Sequence, residues 1–298
     1  MGDVISASGA AATGEELPFN LCSWLIQKVT GSGEPDMVLN GVIMIVSALL
    51  CIVIPYLLGS INPAIIISQK YYGDDIRTHG SGNAGATNTL RTFGKKTAIL
   101  IFLLDLTKAA LAVLVGSIIM IRSIGGAIAG FFVILGHMFP IFFKFKGGKG
   151  VACTAMVMLL LSPLSFAILF PVFVIIVLFT RYVSLGSIMA VMLYPLFNHV
   201  FYSSEGSITL SAFFTMLLVV FMHRENIKRL LQGKESKLKL GKSKKEREAA
   251  KERLAKAAER EYSDADFTKC SCGRLIPVSR KTCAYCGAKN TNYVQKDK

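Results

Sequence analysis

The chain has 298 residues, of which 52% are hydrophobic and only 17% charged, and its mean hydropathy is +0.51. Ordinary soluble domains carry about 25% charged residues, so a wholly water-borne protein is excluded. The formal charge of +14 is uneven: residues 1–222 hold 12 Lys and Arg against 9 Asp and Glu, residues 223–298 hold 21 against 10, and an apolar block therefore carries a basic tail.

In chain order, the first 35 residues lack the basic start of a secretory signal and carry Glu15, Glu16 and Glu34. "LPFNLCSWLIQKV" (17–29) is apolar but short. It reads as an interfacial helix with Trp24 at headgroup level, a further short membrane helix being the alternative. A membrane helix needs about 20 apolar residues. Such runs are expected at 37–58, at 97–121 (interrupted by Asp105 and Lys108) and at 124–143. A run over 151–180 is divided by Ser162-Pro163 into a short and a longer helix, and 184–201 and 207–222 follow. The sequence thus predicts an all-α multi-pass membrane protein with about seven transmembrane helices.

Basic residues set the expected orientation. The links after spans one, three and five contain Lys70, Arg77, Arg91, Lys95 and Lys96, then Lys144, Lys146 and Lys149, then Arg181; those after spans two, four and six contain Arg122 alone. Positive residues mark the cytoplasmic side, which puts the N-terminus outside and the C-terminus inside. After the last span, "KSKKEREAAKERLAKAAEREY" reads as an exposed helix with opposite charges at helical spacing, a solvated spacer whose edge can meet anionic lipid. The expected division is an extracytoplasmic segment (1–36), a membrane domain (37–240), a charged helical linker (241–265) and a cysteine-bearing domain (266–298). Membrane lipids are expected partners and nucleic acid is not.

Three stretches on the inner face point to chemistry. "GSGNAGATN" (80–88) lies between Arg77 and Arg91. Its glycines, Gly80, Gly82 and Gly85, let backbone N–H groups converge on an anion, and Ser81, Asn83, Thr87 and Asn88 add side-chain donors. "FKFKGGKGVA" places Gly147, Gly148 and Gly150 around Lys149 at the start of an apolar helix, where backbone donors and the helix dipole suit phosphate. The Walker A spacing is absent, so ATP hydrolysis is not implied. Upstream, His137 reads as a buried, hydrogen-bonded structural residue, a direct part in the chemistry being the alternative. "HRENIKRL" opens the tail, with His223 and Asn226 three apart on one helix face, able to fix an imidazole tautomer and orient a hydroxyl. Asp105 and Lys108, three apart inside a span, are expected to pair and brace the site.

The order "GS-I-x-P", "DIRxxGSGNxGxTNxxRxxG", "GHxFPxxxxFxGGKGVAxT", "YVSLGS" and "HRxNIxRLxxGxE" resembles the bacterial acyl-phosphate:glycerol-3-phosphate acyltransferase (PlsY-type) family over about 38–240. Asn62 before Pro63, Cys153 and Ala109 depart from its usual pattern. The resemblance implies a seven-helix membrane enzyme of the bacterial plasma membrane with a cytoplasmic site. It implies transfer of a fatty acyl group from acyl phosphate to the sn-1 hydroxyl of glycerol 3-phosphate, a step of phospholipid biosynthesis without a catalytic cofactor. By the same resemblance, Ser60 and the Gly80–Asn88 loop hold one phosphate; Arg77, Lys149 and Ser187 serve glycerol 3-phosphate or the reacting centre; His223 and Asn226 orient the attacking hydroxyl. No histidine has aspartate five residues on: after His79, His137, His199 and His223 those positions hold Ala84, Phe142, Ser204 and Lys228. The usual acyl-thioester machinery is therefore missing. The rival from another class is a transporter of a phosphorylated metabolite, against which stand the missing inverted repeat and the lack of any outer-face motif.

"CSCGRLIPVSRKTCAYCG" supplies Cys270, Cys272, Cys283 and Cys286 in two knuckles. Four thiolates so spaced predict a structural zinc site resembling a small zinc ribbon. Its role stays open between docking to a protein partner, regulation and stability. Cys22, Cys51 and Cys153 read as apolar filler.

Overall fold

The computed structural model describes residues 20–30, 37–120, 122–238, 267–273, 275–277, 282–283 and 286–290. The expected linker helix (241–265) and most of the expected N-terminal segment lie outside them. Two compact units separate, one within Met1–Ile67 and Asp75–Leu238, the other within Ser68–Asp74 and Lys239–Lys298.

The regular elements of the first unit are, among its described residues, helices joined by loops: α1 (Leu21–Thr30), α2 (Met37–Ser60), α3 (Pro63–Tyr72, whose residues from Ser68 on count with the second unit), α4 (Ala86–Thr92), α5 (Lys95–Ile119), α6 (Arg122–Met138), α7 (Val151–Leu161), α8 (Pro163–Thr180), α9 (Val183–Phe201), α10 (Gly206–Met222) and α11 (Arg224–Leu231). Away from water every backbone N–H and C=O needs an internal partner, and a helix supplies it locally. Helices break where they cannot continue, at Asn62-Pro63 and at Ser162-Pro163.

Five stretches are long and apolar enough to cross a membrane: Met37–Tyr72, Lys95–Ile119, Ser123–Phe143, Pro163–Thr180 and Val183–Phe201. A sixth is the pair Gly206–Met222 and Arg224–Leu231, bent by 57°. The expected short helix before Ser162 is present, but α7 has only 11 residues. At about 1.5 Å per residue it reaches roughly half the 30 Å hydrocarbon core, so it does not meet the span length alone. Within the apolar stretch 17–29 the described residues form α1, where Lys28 lies 5.5 Å from the centroid of the half-exposed Trp24 ring.

Glycines let α6 lie almost backbone to backbone on its neighbours. A Cβ on Gly136 would strike the Tyr56 carbonyl of α2, and one on Gly125 the Gly116 carbonyl of α5. The core below, with Val133, Ile134, Cys153, Val157 and Val219, is apolar. Ile99, Leu103 and Leu114 of α5 and Leu178 and Phe179 of α8 point outward and are exposed, a greasy exterior suited to lipid.

The second unit holds two short antiparallel strands, β1 (Phe267–Lys269) and β2 (Leu275–Pro277), with Thr268 opposite Ile276. Gly273 and Gly287, directly after Cys272 and Cys286, turn with positive φ (83° and 72°), as knuckles require.

Candidate active site

A cavity of about 180 Å³ opens between the 81–85 loop, α4, the start of α7, the first turn of α9 and the hinge between α10 and α11; the stretch expected as loop to Asn88 becomes helix from Ala86. It gathers Ser81, Asn83, Gly85, Thr87, Asn88, Arg91, Lys149, Gly150, Ser187, His223 and Asn226 from segments far apart in sequence. Gly80, Gly82, Gly147, Gly148, Ser60 and Arg77 do not line it.

Each of those six has an observable job. Gly80 and Gly82 take left-handed conformations (φ 56° and 70°) that fold the loop back. Asn88 clasps that fold: its Oδ1 accepts the Ser81 N–H at 3.0 Å, and its Nδ2 donates to the carbonyls of Ile76 and His79 at 3.1 and 2.9 Å. The Gly147 and Gly148 N–H groups are spent on the carbonyls of Met138 and His137, at 3.1 and 3.0 Å. They strap the turn to the end of α6 instead of facing an anion. Gly150 (φ 75°) then starts α7. The first-turn N–H groups of α7 have no intrahelical acceptor, and Val151 and Ala152 line the cavity there.

Ser60 is fully buried; its hydroxyl donates to Tyr56 O at 2.9 Å and accepts from Ile141 N–H at 3.4 Å. Arg77 is a brace. Its guanidinium forks onto Asp75 (Nε–Oδ1 3.0 Å, NH2–Oδ2 2.7 Å) and donates NH1 to the carbonyls of Phe143 and Lys146, both at 3.1 Å. The bond to Asp75 holds its pKa above the usual guanidinium value. The two glycine-rich loops are thus tied together by one side chain.

Inside the cavity the donors form a chain. Lys149 Nζ donates to Asn226 Oδ1. Asn226 Nδ2 donates to Glu235 Oε1 at 2.6 Å, which also accepts from Ser184 Oγ at 2.8 Å, while Arg229 Nε reaches Oε2 at 2.8 Å. Burial works to raise the Glu235 pKa, but the bonds from Arg229, Asn226 and Ser184 hold it below the ordinary carboxylate range. Burial pushes Lys149 down to about 8; Glu235 pulls it up, and Arg229 and Arg91 push it further down. Arg91, lowered by burial, donates to the Ser236 carbonyl at 3.2 Å. His223 Nδ1 lies 2.7 Å from Val219 O. A carbonyl only accepts, so Nδ1 carries the proton and the neutral ring presents Nε2 as an acceptor.

A second, apolar cavity of about 120 Å³ shares Phe102, Val151, Ala152, Phe173 and Ser187 with the first and continues along Ala155, Met158, Phe166, Leu169 and Phe170. The sequence reading missed Ser184, Glu235, Phe102 and Phe173. Glu235 closes the quoted HRxNIxRLxxGxE pattern, so a signal for it was in hand; Phe102 and Phe173 look like any other lipid-facing aromatic. Asp105 and Lys108 pair as expected, at 2.9 Å.

Apolar helices around a buried, cation-lined cavity define an integral membrane protein with a site for an anionic ligand. The chain belongs to the glycerol-3-phosphate acyltransferase family, whose model matches residues 49–233. A glycerol-3-phosphate acyltransferase of Thermoanaerobacter sp. (strain X514) is 45% identical over 191 residues, covering 64% of this chain and 96% of that protein. Glycerol-3-phosphate acyltransferase 2 of Bacillus anthracis is 39% identical over 190 residues, 64% and 98% of the two chains. The crystal structure of PlsY (YgiH), an integral membrane glycerol 3-phosphate acyltransferase, in its glycerol 3-phosphate form, superposes with a TM-score of 0.59 at 40% identity, covering 65% of this chain and 96% of that one. The four tail cysteines lie beyond the residues matched to the family.

Proposed function

We propose that the chain transfers a fatty acyl group from acyl phosphate to the sn-1 hydroxyl of glycerol 3-phosphate, releasing lysophosphatidate and inorganic phosphate. The observation that carries this is the adjacency of the two cavities: a cationic, donor-rich chamber and an apolar one share the wall residues Phe102, Val151, Ala152, Phe173 and Ser187. A phosphate group suits the first and an acyl chain the second.

An acyl phosphate is an activated mixed anhydride, so the reaction asks mainly for two mutually repelling anions to be held together. The hydroxyl oxygen attacks the acyl carbon, the bond from that carbon to the phosphate oxygen breaks, and the hydroxyl proton ends on the departing phosphate. Lys149, Arg91, the donors of the 81–85 loop and of the first turns of α4 and α7 neutralise the phosphates. Asn226 and the Nε2 lone pair of His223 orient the hydroxyl, and Ser187 stands in the shared wall. Ser60, Arg77, Gly80, Gly82, Gly147 and Gly148 act as positioning residues, holding the loops that carry those donors.

Purified protein given palmitoyl phosphate and glycerol 3-phosphate is expected to release phosphate and lysophosphatidate in equal amounts, and to do neither with palmitoyl-CoA. Uptake of intact glycerol 3-phosphate into vesicles without product would instead establish a transporter.

The lysine and arginine asymmetry supports an outside N-terminus and a cytoplasmic site, and the bacterial relatives support a plasma-membrane location. In the tail, the four Sγ atoms of Cys270, Cys272, Cys283 and Cys286 all lie within 4.8 Å of one another, with Cys270–Cys286 at 3.4 Å and Cys272–Cys283 at 3.9 Å. Four thiolates about 2.3 Å from zinc stand about 3.8 Å apart at tetrahedral corners, so these residues fit zinc. The metal would supply folding energy to the hairpin.

A further inference from the structure

A buried polar cluster adjoins the cavity and is not accounted for by the roles above. Helix α2 ends at Ser60 and α3 begins at Pro63. The Gly59 carbonyl would ordinarily take the N–H of residue 63, but proline has none. Lys108 of α5 fills the gap: its Nζ donates to Gly59 O at 3.1 Å and to Ile61 O at 2.8 Å. Its third hydrogen-bond partner is His137 Nδ1 at 2.9 Å. Asp105 Oδ1, 2.9 Å from Nζ and 3.2 Å from Nδ1, balances the charge without making a well-directed hydrogen bond.

This arrangement decides which histidine nitrogen carries hydrogen. An ammonium has three protons and no lone pair. With two given to carbonyls and the third aimed at His137, Nδ1 is the acceptor and the neutral ring holds its proton on Nε2. If the ring is doubly protonated, Nδ1–H turns to Asp105 and Nε2 still carries a proton. In both states Nε2–H is a donor; a neutral ring with its proton on Nδ1 would instead set an N–H against the Lys108 ammonium at 2.9 Å, where neither side can accept.

Nε2 lies directly under the Gly148 Cα, where a Cβ would strike it and the Ala84 carbonyl. His137 is only 3% exposed, and it lines the cavity beside Asn83 and Lys149. Among the described residues, Nε2 has no hydrogen-bond partner. Asp105, His137 and Cys153 also have ligand atoms within 4.8 Å of one another. Lys108 Nζ already stands 2.9 Å from both Asp105 and His137, so the position of a cation there is taken by an ammonium.

We propose that His137 is a substrate-contact residue whose Nε2–H donates to a phosphate oxygen beside the Gly148–Lys149 turn, with Lys108 and Asp105 as positioning residues that fix its tautomer. The inference rests on the acyl-transfer reading and names a donor that reading lacks. Glycine at 148 is what lets the turn pack this closely on the His137 ring and the Ala84 carbonyl.

The test uses the full-length chain and its His137→Leu and His137→Gln variants, with KM measured separately for glycerol 3-phosphate and for acyl phosphate. Loss of one hydrogen bond to a charged group corresponds to a loss of about ten- to a hundredfold. His137→Leu is expected to raise one KM by that factor with kcat falling less, and His137→Gln, which keeps an N–H near the Nε2 position, to recover part of it. The substrate whose KM moves is the one whose phosphate sits at Nε2. A stably folded His137→Leu protein with both KM values unchanged overturns the proposal. Should His137→Leu fail to fold, deuterium exchange at the His137 ring C2 position in the unmodified protein decides. Inorganic phosphate or glycerol 3-phosphate is expected to slow it severalfold, and an unchanged rate at saturation overturns the proposal. An unmodified chain that makes no lysophosphatidate removes the acyl-transfer reading alone, since the exchange experiment with inorganic phosphate tests His137 independently.

Discussion

Glu235 offers the sharpest test of how the cavity is built, because one carboxylate receives three donors and one of them, Asn226, holds Lys149. In Glu235→Ala, Arg229 can turn to water, since its side chain is 34% exposed. Asn226 and Ser184 are buried and lose the acceptor they are aimed at. A buried donor without a partner costs about 1–3 kcal/mol. If the Ser184 hydroxyl turns to a nearby carbonyl, the net cost is about 3 kcal/mol, mostly from Asn226. For a unit of about 200 residues this is a fall in Tm of roughly 6–12 °C. If 2 kcal/mol of it also falls on the transition state, kcat/KM drops about 30-fold. Glu235→Gln keeps an oxygen for Asn226 and Ser184 and gives up only the partly exposed ion pair, worth about 1 kcal/mol or less. Thermal unfolding in detergent and phosphate release from acyl phosphate are the two assays. Alanine is expected to be at least tenfold worse than glutamine in kcat/KM. Equal loss in the two would mean that the charge and not the bonded scaffold matters, and an alanine variant with normal Tm and turnover would refute the reasoning.

Lys149 is a cation below its pKa of about 8 and loses its charge as pH rises through that value. The KM for a phosphate substrate is therefore expected to climb above that pH, and Lys149→Arg to flatten the climb in a pH series. Arg77→Ala should lower Tm and raise KM together by freeing the carbonyls of Phe143 and Lys146, and Arg77→Lys should restore little, because an ammonium has no fork. Filling the apolar cavity with Ala155→Phe is expected to shift donor preference toward shorter acyl phosphates with the KM for glycerol 3-phosphate unchanged, measured across a chain-length series. One zinc per chain is expected by elemental analysis of the purified protein, with Cys283→Ser losing it and the 267–290 region becoming protease-sensitive.

The sequence by itself determined the long apolar helices, the break at Ser162-Pro163 and the glycine-rich stretches that surround the site, but not α3 and α4, which lie in the link between the first two apolar runs. The features it did determine follow from local causes: the length of apolar runs, the missing proline N–H, and glycines where the backbone must turn left-handed. The paired Asp105 and Lys108 were legible too, since a charge inside an apolar helix needs a partner within reach. Only the tertiary structure decided which donors are free and which are spent. Arg77 reads as a phosphate ligand until the carbonyls of Phe143 and Lys146, 66 and 69 residues away, take its protons. Gly147 and Gly148 read as an anion nest until α6 claims their N–H groups. Glu235 and the Nε2 of His137 gain meaning only when Asn226 and Gly148 close over them. A hydrogen-bonding group serves a ligand only if the fold leaves it unpaired, and that pairing depends on neighbours distant in sequence.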